Sequence, residues 1–508
     1  MTRVAIIGAG FGGIGAAIRL KQAGFHDVVI LERAGDVGGV WRDNTYPGCA
    51  CDVQSHLYSF SFAANPAWTR SYSRQQEIHA YLQRVADDFG VRPLVRFHHD
   101  VRSAAWRDGR WHIETSGGDV VADVLIGAQG ALSDPIVPEL PGLATFAGKT
   151  MHTARWDGAF DLAGKRVGVV GTGASAIQLV PAIQPVVATL TIFQRTPPWI
   201  VPRRDVPIGP RMRALFERLP FTQRVARTAI ALQRDLLVFA FVHPRMERVV
   251  RAYARKHLKV SVPDRALRKR LTPSYAIGCK RILVSDDYLP ALTQPNVELV
   301  TDAISRVDER GVVDATGRHH DVDVLIFGTG FHVTDPPIAK LVRGRDGRTL
   351  AETWNGSMRA HLGTSVHGFP NFFLMCGPNA GLGHSSVVVM MEAQLDHIVG
   401  ALAHMRDRGV VALEPRREAQ DAFVADVDRR MAGTVWTSGG CSSWYLDETG
   451  RNSTLWPGST SSFRRRVARF DAREYLTTTA LDGGPPRSLA PAGAAGPLDV
   501  VDTGAQPR

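Results

Sequence analysis

The sequence predicts an α/β protein of two Rossmann-like dinucleotide-binding domains carrying a helical insertion. Three observations predict it. Two glycine-rich turns recur, each between a short apolar strand and a helix, and each of the two units closes on an Asp-Val-Leu-Ile strand. A Pro- and Arg-rich stretch of helical spacing interrupts the second unit. At 508 residues the chain is also too long for a single core.

The first unit reads as strand Val4–Ile7, loop Gly8-Ala9-Gly10-Phe11-Gly12-Gly13, an alanine-rich helix, and strand Val28–Leu31 followed by Glu32. Much later Asp123-Val124-Leu125-Ile126-Gly127-Ala128 closes it. The second unit reads as strand Arg166–Val170, loop Gly171-Thr172-Gly173-Ala174-Ser175-Ala176, a helix, and strand 191–193 followed by Gln194-Arg195-Thr196. Asp323-Val324-Leu325-Ile326-Phe327-Gly328 closes that one. In each loop the first Gly permits the tight turn and the second lets backbone approach a pyrophosphate. The third small residue (Gly13, Ala176) lets helix pack on strand, while the helix N-terminus offers free N–H groups.

The residue after the second strand separates the two cofactors. Nineteen positions separate Gly13 from Glu32, and nineteen separate Ala176 from Arg195. Glu32 can accept hydrogen bonds from ribose hydroxyls, which suits FAD. Arg195 offers no acceptor to a bare 2′-hydroxyl but pairs with a 2′-phosphate, which favours NADPH over NADH. Thr196 is counted with Arg195 at that cofactor.

The expected organisation is residues 1–150 as the first part of the FAD-binding domain and 158–204 as the first part of the NADP-binding domain. A helical insertion, 205–275, is broken by Pro207, Pro210, Pro220, Pro244 and Pro263 into several short helices that cover the cleft between domains. Residues 276–331 return to the NADP-binding domain and 332–478 to the FAD-binding domain. The Gly/Pro/Ala-rich stretch 479–508 reads as a disordered tail.

Composition narrows the classes. With 44% hydrophobic and 21% charged residues the chain reads as an ordinary soluble globular protein. The apolar run 236–242 is too short to span a bilayer, and Val4–Ile7 runs straight into a glycine loop, so no secretory signal is expected. Neither membrane nor nucleic acid is expected as a partner: the net charge of +11 comes from arginines on helical faces, which read as solvated surface. Five scattered cysteines (Cys49, Cys51, Cys279, Cys376, Cys441) form no Cys-x-x-Cys pair. Neither a disulfide framework nor a metal site is therefore expected, disulfide reductase chemistry lacks its redox pair, and a reducing cytoplasm is the expected compartment.

Two longer motifs carry a resemblance. Phe146-Ala147-Gly148-Lys149-Thr150-Met151-His152-Thr153-Ala154-Arg155-Trp156-Asp157 fits F-x-G-x-x-x-H-x-x-x-W-[P/D]. Gly38-Gly39-Val40-Trp41-Arg42-Asp43-Asn44-Thr45-Tyr46-Pro47-Gly48-Cys49-Ala50-Cys51-Asp52 fits [A/G]-G-x-W-x-x-x-x-[F/Y]-P-[G/M]-x-x-x-D. Together they resemble the Baeyer–Villiger monooxygenases, over roughly residues 4–475. The resemblance implies an FAD- and NADPH-dependent enzyme that inserts one oxygen of O2 beside a ketone carbonyl, through a flavin C4a-peroxide, to give an ester or lactone.

That chemistry places negative charge on the former carbonyl oxygen, and a fixed cation beside the flavin would stabilise it. By resemblance this cation is Arg281, following Lys280, which joins Arg195 on the 2′-phosphate. Asp52 is expected to orient Arg281 as a bidentate partner, and Gly39 and Trp41 to lie against FAD. His152 is expected to position the domains rather than to transfer protons, with Trp156 packing in the same hinge. The segment 371–375 reads as a strand leading through Cys376-Gly377-Pro378-Asn379-Ala380-Gly381-Leu382-Gly383-His384 to a long apolar helix; it resembles the segment that returns to the FAD domain and presents backbone to the isoalloxazine, with His384 unassigned, and Leu455-Trp456-Pro457 resembles a substrate-side loop. The alternative is a flavin monooxygenase acting on nitrogen or sulfur, which needs no cation to hold a ketone adduct.

Overall fold

The computed structural model describes residues 2–238, 241 and 244–479, with 244 and 245 described by backbone alone. Two parallel five-stranded sheets form its frame. In the first, Val4–Ile7 lies between Val28–Leu31 and Val124–Gly127, flanked by Val95–Arg96 and Phe372–Leu374. In the second, Arg166–Val170 lies between Thr189–Phe193 and Val324–Phe327, flanked by Val297–Val300 and Lys149–His152. The order of central, second and closing strand is the same in both. Val4–Ile7, Val28–Leu31, Val124–Gly127 and Val324–Phe327 are buried throughout, which is why they read as unbroken apolar runs rather than alternating ones.

The duplication extends to atomic contacts. Gly8 has φ +96°, and a Cβ there would stand 2.8 Å from the Ala128 carbonyl oxygen. Gly171 has φ +104°, and a Cβ there would stand 2.6 Å from the Gly328 carbonyl oxygen. In both units the turn is pressed onto the residue just past the closing strand. Gly13 is tighter still, since its missing Cβ would fall 1.9 Å from the Gly8 carbonyl oxygen. Gly13→Ala must therefore open the first loop. We expect a loss of about 3 kcal/mol and purification without FAD, checked by chemical denaturation and flavin absorbance.

Each closing strand is preceded by an antiparallel meander that the sequence pattern does not announce. In the first domain Val101–Arg107, Arg110–Thr115 and Val120–Ala122 pair in turn; in the second, Ile304–Asp308, Gly311–Asp314 and His319–Asp321 do so. The strand Lys149–His152 belongs to the second sheet, and the expected boundary at residue 150 falls within it. It is a short, partly polar edge strand, and its sequence carries no apolar run to mark it.

The insertion also differs from several short helices. Pro220–Leu236 and Pro244–Ser261 are 17 and 18 residues long, preceded by the shorter Pro210–Arg218 and followed by Arg265–Arg270. Pro210 and Pro220 open helices instead of breaking them, because the first helical turn needs no N–H from the chain. The helix Pro220–Leu236 lies on the first domain. Gln223 donates to the Asn65 carbonyl at 2.6 Å, Arg227 to the carbonyls of His56 and Ser59, and Asp235 accepts from Thr460 and Ser461. Past the second sheet, the helix Val387–Arg408 packs along Phe11–Gln22 and is tied to it by Arg19–Asp396 at 2.9 Å. From residue 480 the expected disordered tail lies outside the described residues, as does part of the run 236–242. Among the described residues no helix is long and apolar enough to cross a membrane.

Candidate active site

The first glycine loop carries a second layer. Gly38 donates its N–H to the Ala9 carbonyl at 2.9 Å, and Gly39 lies directly over Gly10, where a Cβ would come within 3.0 Å of the Gly10 Cα. Bare backbone is thus presented by both motifs at one place. Glu32, 4% exposed, accepts from the N–H of Ala9 at 2.8 Å and of Ala34 at 2.9 Å, and from Arg42 Nη1 at 3.1 Å. A carboxylate has about four acceptor positions, so Glu32 holds the loop and keeps capacity for a ribose hydroxyl. The residues fit FAD. Trp41 is buried and donates Nε1–H to the Tyr58 hydroxyl at 3.1 Å. Arg42, absent from the residues singled out by sequence, partners Glu32; only its Trp-Arg position inside the motif could have drawn attention to it.

The second half of that motif joins the domains. Tyr46 donates to Gln178 Oε1 at 2.9 Å, Ala50 N–H reaches the same oxygen at 3.2 Å, and Gln178 Nε2 returns to the Ala50 carbonyl at 2.9 Å. Gln178 stands on the helix Ala176–Ile183, which follows the second glycine loop.

At the second loop Thr172 Oγ1 donates to the Thr196 carbonyl at 3.1 Å, fixing Thr196 beside Gly171 and Gly173. Arg195 is exposed, and Lys280 lies half-buried with its Nζ 5.3 Å from the centre of the Tyr275 ring. Burial, and then the charge of Arg195, lower the Lys280 ammonium from its ordinary value. Among the described residues neither cation has a carboxylate partner. Two neighbouring cations without an acid form a place for a dianion, so the donor set fits a ribose 2′-phosphate. Arg195→Ala is expected to raise KM for NADPH by about tenfold or more while leaving KM for NADH little changed; steady-state kinetics with both nucleotides checks it. Equal effects on both would remove Arg195 from the phosphate.

Arg281 and Asp52, separated by 229 positions in sequence, meet as a bidentate pair: Nε–H to Oδ2 at 2.7 Å and Nη2–H to Oδ1 at 2.9 Å. About a quarter of each side chain remains accessible (25% and 24%). Burial alone would raise the Asp52 carboxyl, but Arg281, supported by Arg234, holds it below the usual carboxylate range. The Asp52 charge raises Arg281 well above its ordinary value against the effect of burial. Arg234 itself reaches Gln54 Oε1 at 2.7 Å and the Tyr72 hydroxyl at 3.2 Å from the insertion helix. Its place in an arginine-rich helix hides it among solvated charges. Tyr445, fully buried, stands beside Arg281; burial pushes its hydroxyl up to about 12, with Arg281 pulling the other way.

Tyr445 is delivered there with the help of a bond that the sequence does not suggest. Cys279, next to Lys280, is disulfide-bonded to Cys441, 162 positions away. The pairing corrects the expectation of unpaired thiols: spacing alone carries no sign of a bridge between such distant segments. Cys49, Cys51 and Cys376 remain free thiols.

The other motif residues lie at the domain junction. Gly148 is pressed between the Phe146 ring and the Asp323 carbonyl oxygen, to which a Cβ would come within 2.5 and 2.4 Å. Asp157 pairs with Lys149 at 2.8 Å, and Trp156 packs half-buried against the main core. His152 accepts from Ala154 N–H at 3.0 Å and meets the Phe331 ring edge-on. Burial, with Arg155, pushes its imidazole down to about 4, so it is neutral at pH 7. The turn Thr153–Arg155 packs beside Val40–Asp43, but the hydrogen bonds of His152 do not reach Asp52 or Arg281. Leu455 joins the cluster of Phe241, Trp436 and Tyr445, whereas Trp456 turns away into a core with Phe423 and Phe463. There its indole finds both apolar neighbours and an acceptor, since Nε1–H donates to Ser462 Oγ at 2.9 Å. Among the described residues no group of side chains could hold a metal ion.

A family model for pyridine nucleotide-disulphide oxidoreductases matches residues 5–230. The chain is 54% identical over 477 residues to a Baeyer–Villiger monooxygenase of Streptomyces coelicolor, covering 93% of this chain and 92% of that one. It is 46% identical over 486 residues to a Baeyer–Villiger monooxygenase of Pseudomonas aeruginosa, covering 94% and 92%. A crystal structure of cyclohexanone monooxygenase from Rhodococcus sp. Phi1 bound to NADP+ superposes with a TM-score of 0.84 at 29% identity, covering 94% of this chain and 99% of the other.

Proposed function

The chain belongs to the Baeyer–Villiger monooxygenase family, and on that premise we propose that Arg281 is the cation that holds a ketone's carbonyl oxygen during oxygen insertion. The overall reaction converts ketone, NADPH, H+ and O2 into ester or lactone, NADP+ and water. FAD held in the site and reduced by NADPH would activate O2, from which the inserted oxygen atom comes. The residues of the chain do the rest.

The observation that carries the role is the geometry of the pair. Asp52 takes Nε and Nη2, so Nη1 is turned away from the carboxylate. The carboxylate fixes the guanidinium plane, and its low proton affinity means that it never competes as an acid near neutral pH. Because the charge is already in place before carbonyl oxygen becomes anionic, no reorganisation is needed as that charge develops. Glu32 and the bare backbone at Gly8, Gly10 and Gly39 would hold FAD, while Gly171, Gly173, Ala176, Arg195, Thr196 and Lys280 would hold NADPH. Gln178 and the junction residues Phe146, Gly148, His152, Trp156 and Asp157 keep the two sites in register.

Oxygenation of nitrogen or sulfur, the alternative, has no use for a clamped cation, and family membership goes against it as the main activity. The test is NADPH oxidation by FAD-loaded enzyme across linear, cyclic, aryl and steroid ketones under isotopically labelled O2. Label in an ester or lactone supports the reading. NADPH oxidation that yields only hydrogen peroxide with every ketone overturns it.

A further inference from the structure

Unmet donors gather on one side of the Arg281–Asp52 pair. Trp436, Tyr445 and His384 are 1%, 0% and 5% exposed. Among the described residues no hydrogen-bond partner meets Trp436 Nε1 or either ring nitrogen of His384, and no acceptor meets the Tyr445 O–H. Arg281, beside Tyr445, can only donate, so the Tyr445 O–H still wants an acceptor. Asp235 stands 3.8 Å from His384 Nε2, an ion-pair contact longer than a direct hydrogen bond. These groups share one space. A methyl group on Gly383 would stand 3.6 Å from the Tyr445 hydroxyl and 4.0 Å from Trp436 Nε1, so bare backbone at Gly383 faces both. Phe241 closes the side, stacked on Trp436 with centroids 5.4 Å apart and tilted against His384 at 6.2 Å.

Native cores leave few buried donors unmet, because the loss of water is uncompensated. Three such side chains around one space, beside the charged pair, point to a ligand rather than to packing. An indole N–H can only donate, so what meets Trp436 must be an acceptor. A plain hydrocarbon ketone brings one oxygen, and Arg281 takes it.

Resting on the reading of Arg281 given above, we propose that the ketone used by this enzyme carries a second acceptor oxygen, a hydroxyl or another carbonyl, received by Trp436 Nε1 and the Tyr445 hydroxyl over Gly383. A site built to hydrogen-bond a substrate group discriminates strongly against the analogue that lacks it, since its own buried donors then stay unmet.

The experiment compares a linear methyl ketone with diketones and hydroxyketones of the same chain length, the second oxygen placed at successive positions. With FAD-loaded enzyme, the best oxygenated ketone should exceed the plain one in kcat/KM by about tenfold or more. Trp436→Phe keeps an aromatic ring against Phe241 and removes the N–H together with the smaller ring of the indole; Tyr445→Phe deletes only the hydroxyl, and is the cleaner of the two. In variants that retain FAD, each should bring the ratio toward one. Gly383→Ala, whose methyl meets only ordinary contacts, should do the same by filling the space. A plain ketone that equals every oxygenated analogue, or a ratio that survives all three variants, overturns the proposal. Calorimetric ketone binding to enzyme loaded with FAD and NADP+ gives the same comparison without turnover. If no ketone is converted, the role of Arg281 falls, while the binding ratio still decides the second oxygen.

Discussion

Arg281→Ala should bind FAD and accept hydride from NADPH yet form ester or lactone with kcat/KM about 100- to 1,000-fold below wild type, the loss typical of one preorganised oxyanion donor. The electrons then leave as hydrogen peroxide, so NADPH consumption and ester formation part company. Arg281→Lys separates charge from geometry. Lysine keeps a positive charge but cannot make the two bonds that Nε and Nη2 make to Asp52, so it should recover only part of the loss. Flavin absorbance, anaerobic reduction by NADPH and product analysis read the three steps separately. Ester formation at the wild-type rate in Arg281→Ala would end the assignment.

Much of this frame is legible because it follows from local sterics and short periods. A turn that brings Gly8 onto Ala128 and Gly13 onto the Gly8 carbonyl admits few residues, so the sequence has to display it. Strands buried on both faces have to be apolar throughout. The site is legible in part. Glu32 and Arg195 sit at fixed distances from their loops, and Asp52 and Arg281 come from a family pattern rather than from chemistry visible in the chain. What escapes is what depends on distant segments meeting. Gln178 binds Tyr46 and Ala50 across about 130 positions, and Arg234 reaches Gln54 across 180. Cys279 meets Cys441 across 162. None of these residues differs in its local pattern from a surface glutamine, a solvated arginine or an isolated thiol. The insertion helices depart from expectation for a local reason: proline opens a helix as readily as it ends one, and composition does not say which.

Asp52→Ala should be nearly as damaging as the loss of Arg281, and for a reason the double mutant exposes. Removing one member of a buried pair leaves the other uncompensated, at about 3 kcal/mol, the low end of such effects because a quarter of each side chain is accessible. Oxygenation should also fall, about 100-fold in kcat/KM, because the guanidinium that remains is no longer held in place. If Asp52 acts only by aiming Arg281, Asp52→Ala combined with Arg281→Ala is no worse than Arg281→Ala alone. A product of the two losses would show that Asp52 acts elsewhere. The pH dependence follows from the same pair. The folded-state pKa of Asp52 is depressed below its ordinary carboxylate value, so its stabilisation is fully present above the unfolded pKa of about 3.9 and is lost as pH falls through the lower, folded value. Arg281 is shifted upward, so its contribution is lost only as pH rises through a folded value above the ordinary arginine range. Between about pH 5 and pH 10 the pair stays doubly charged. A wild-type pH–rate profile should accordingly contain no limb in that window that disappears in Asp52→Asn. A limb near neutrality that vanishes in that variant would mean that the carboxylate exchanges a proton during turnover, and that the pair is an acid–base device rather than a clamped charge.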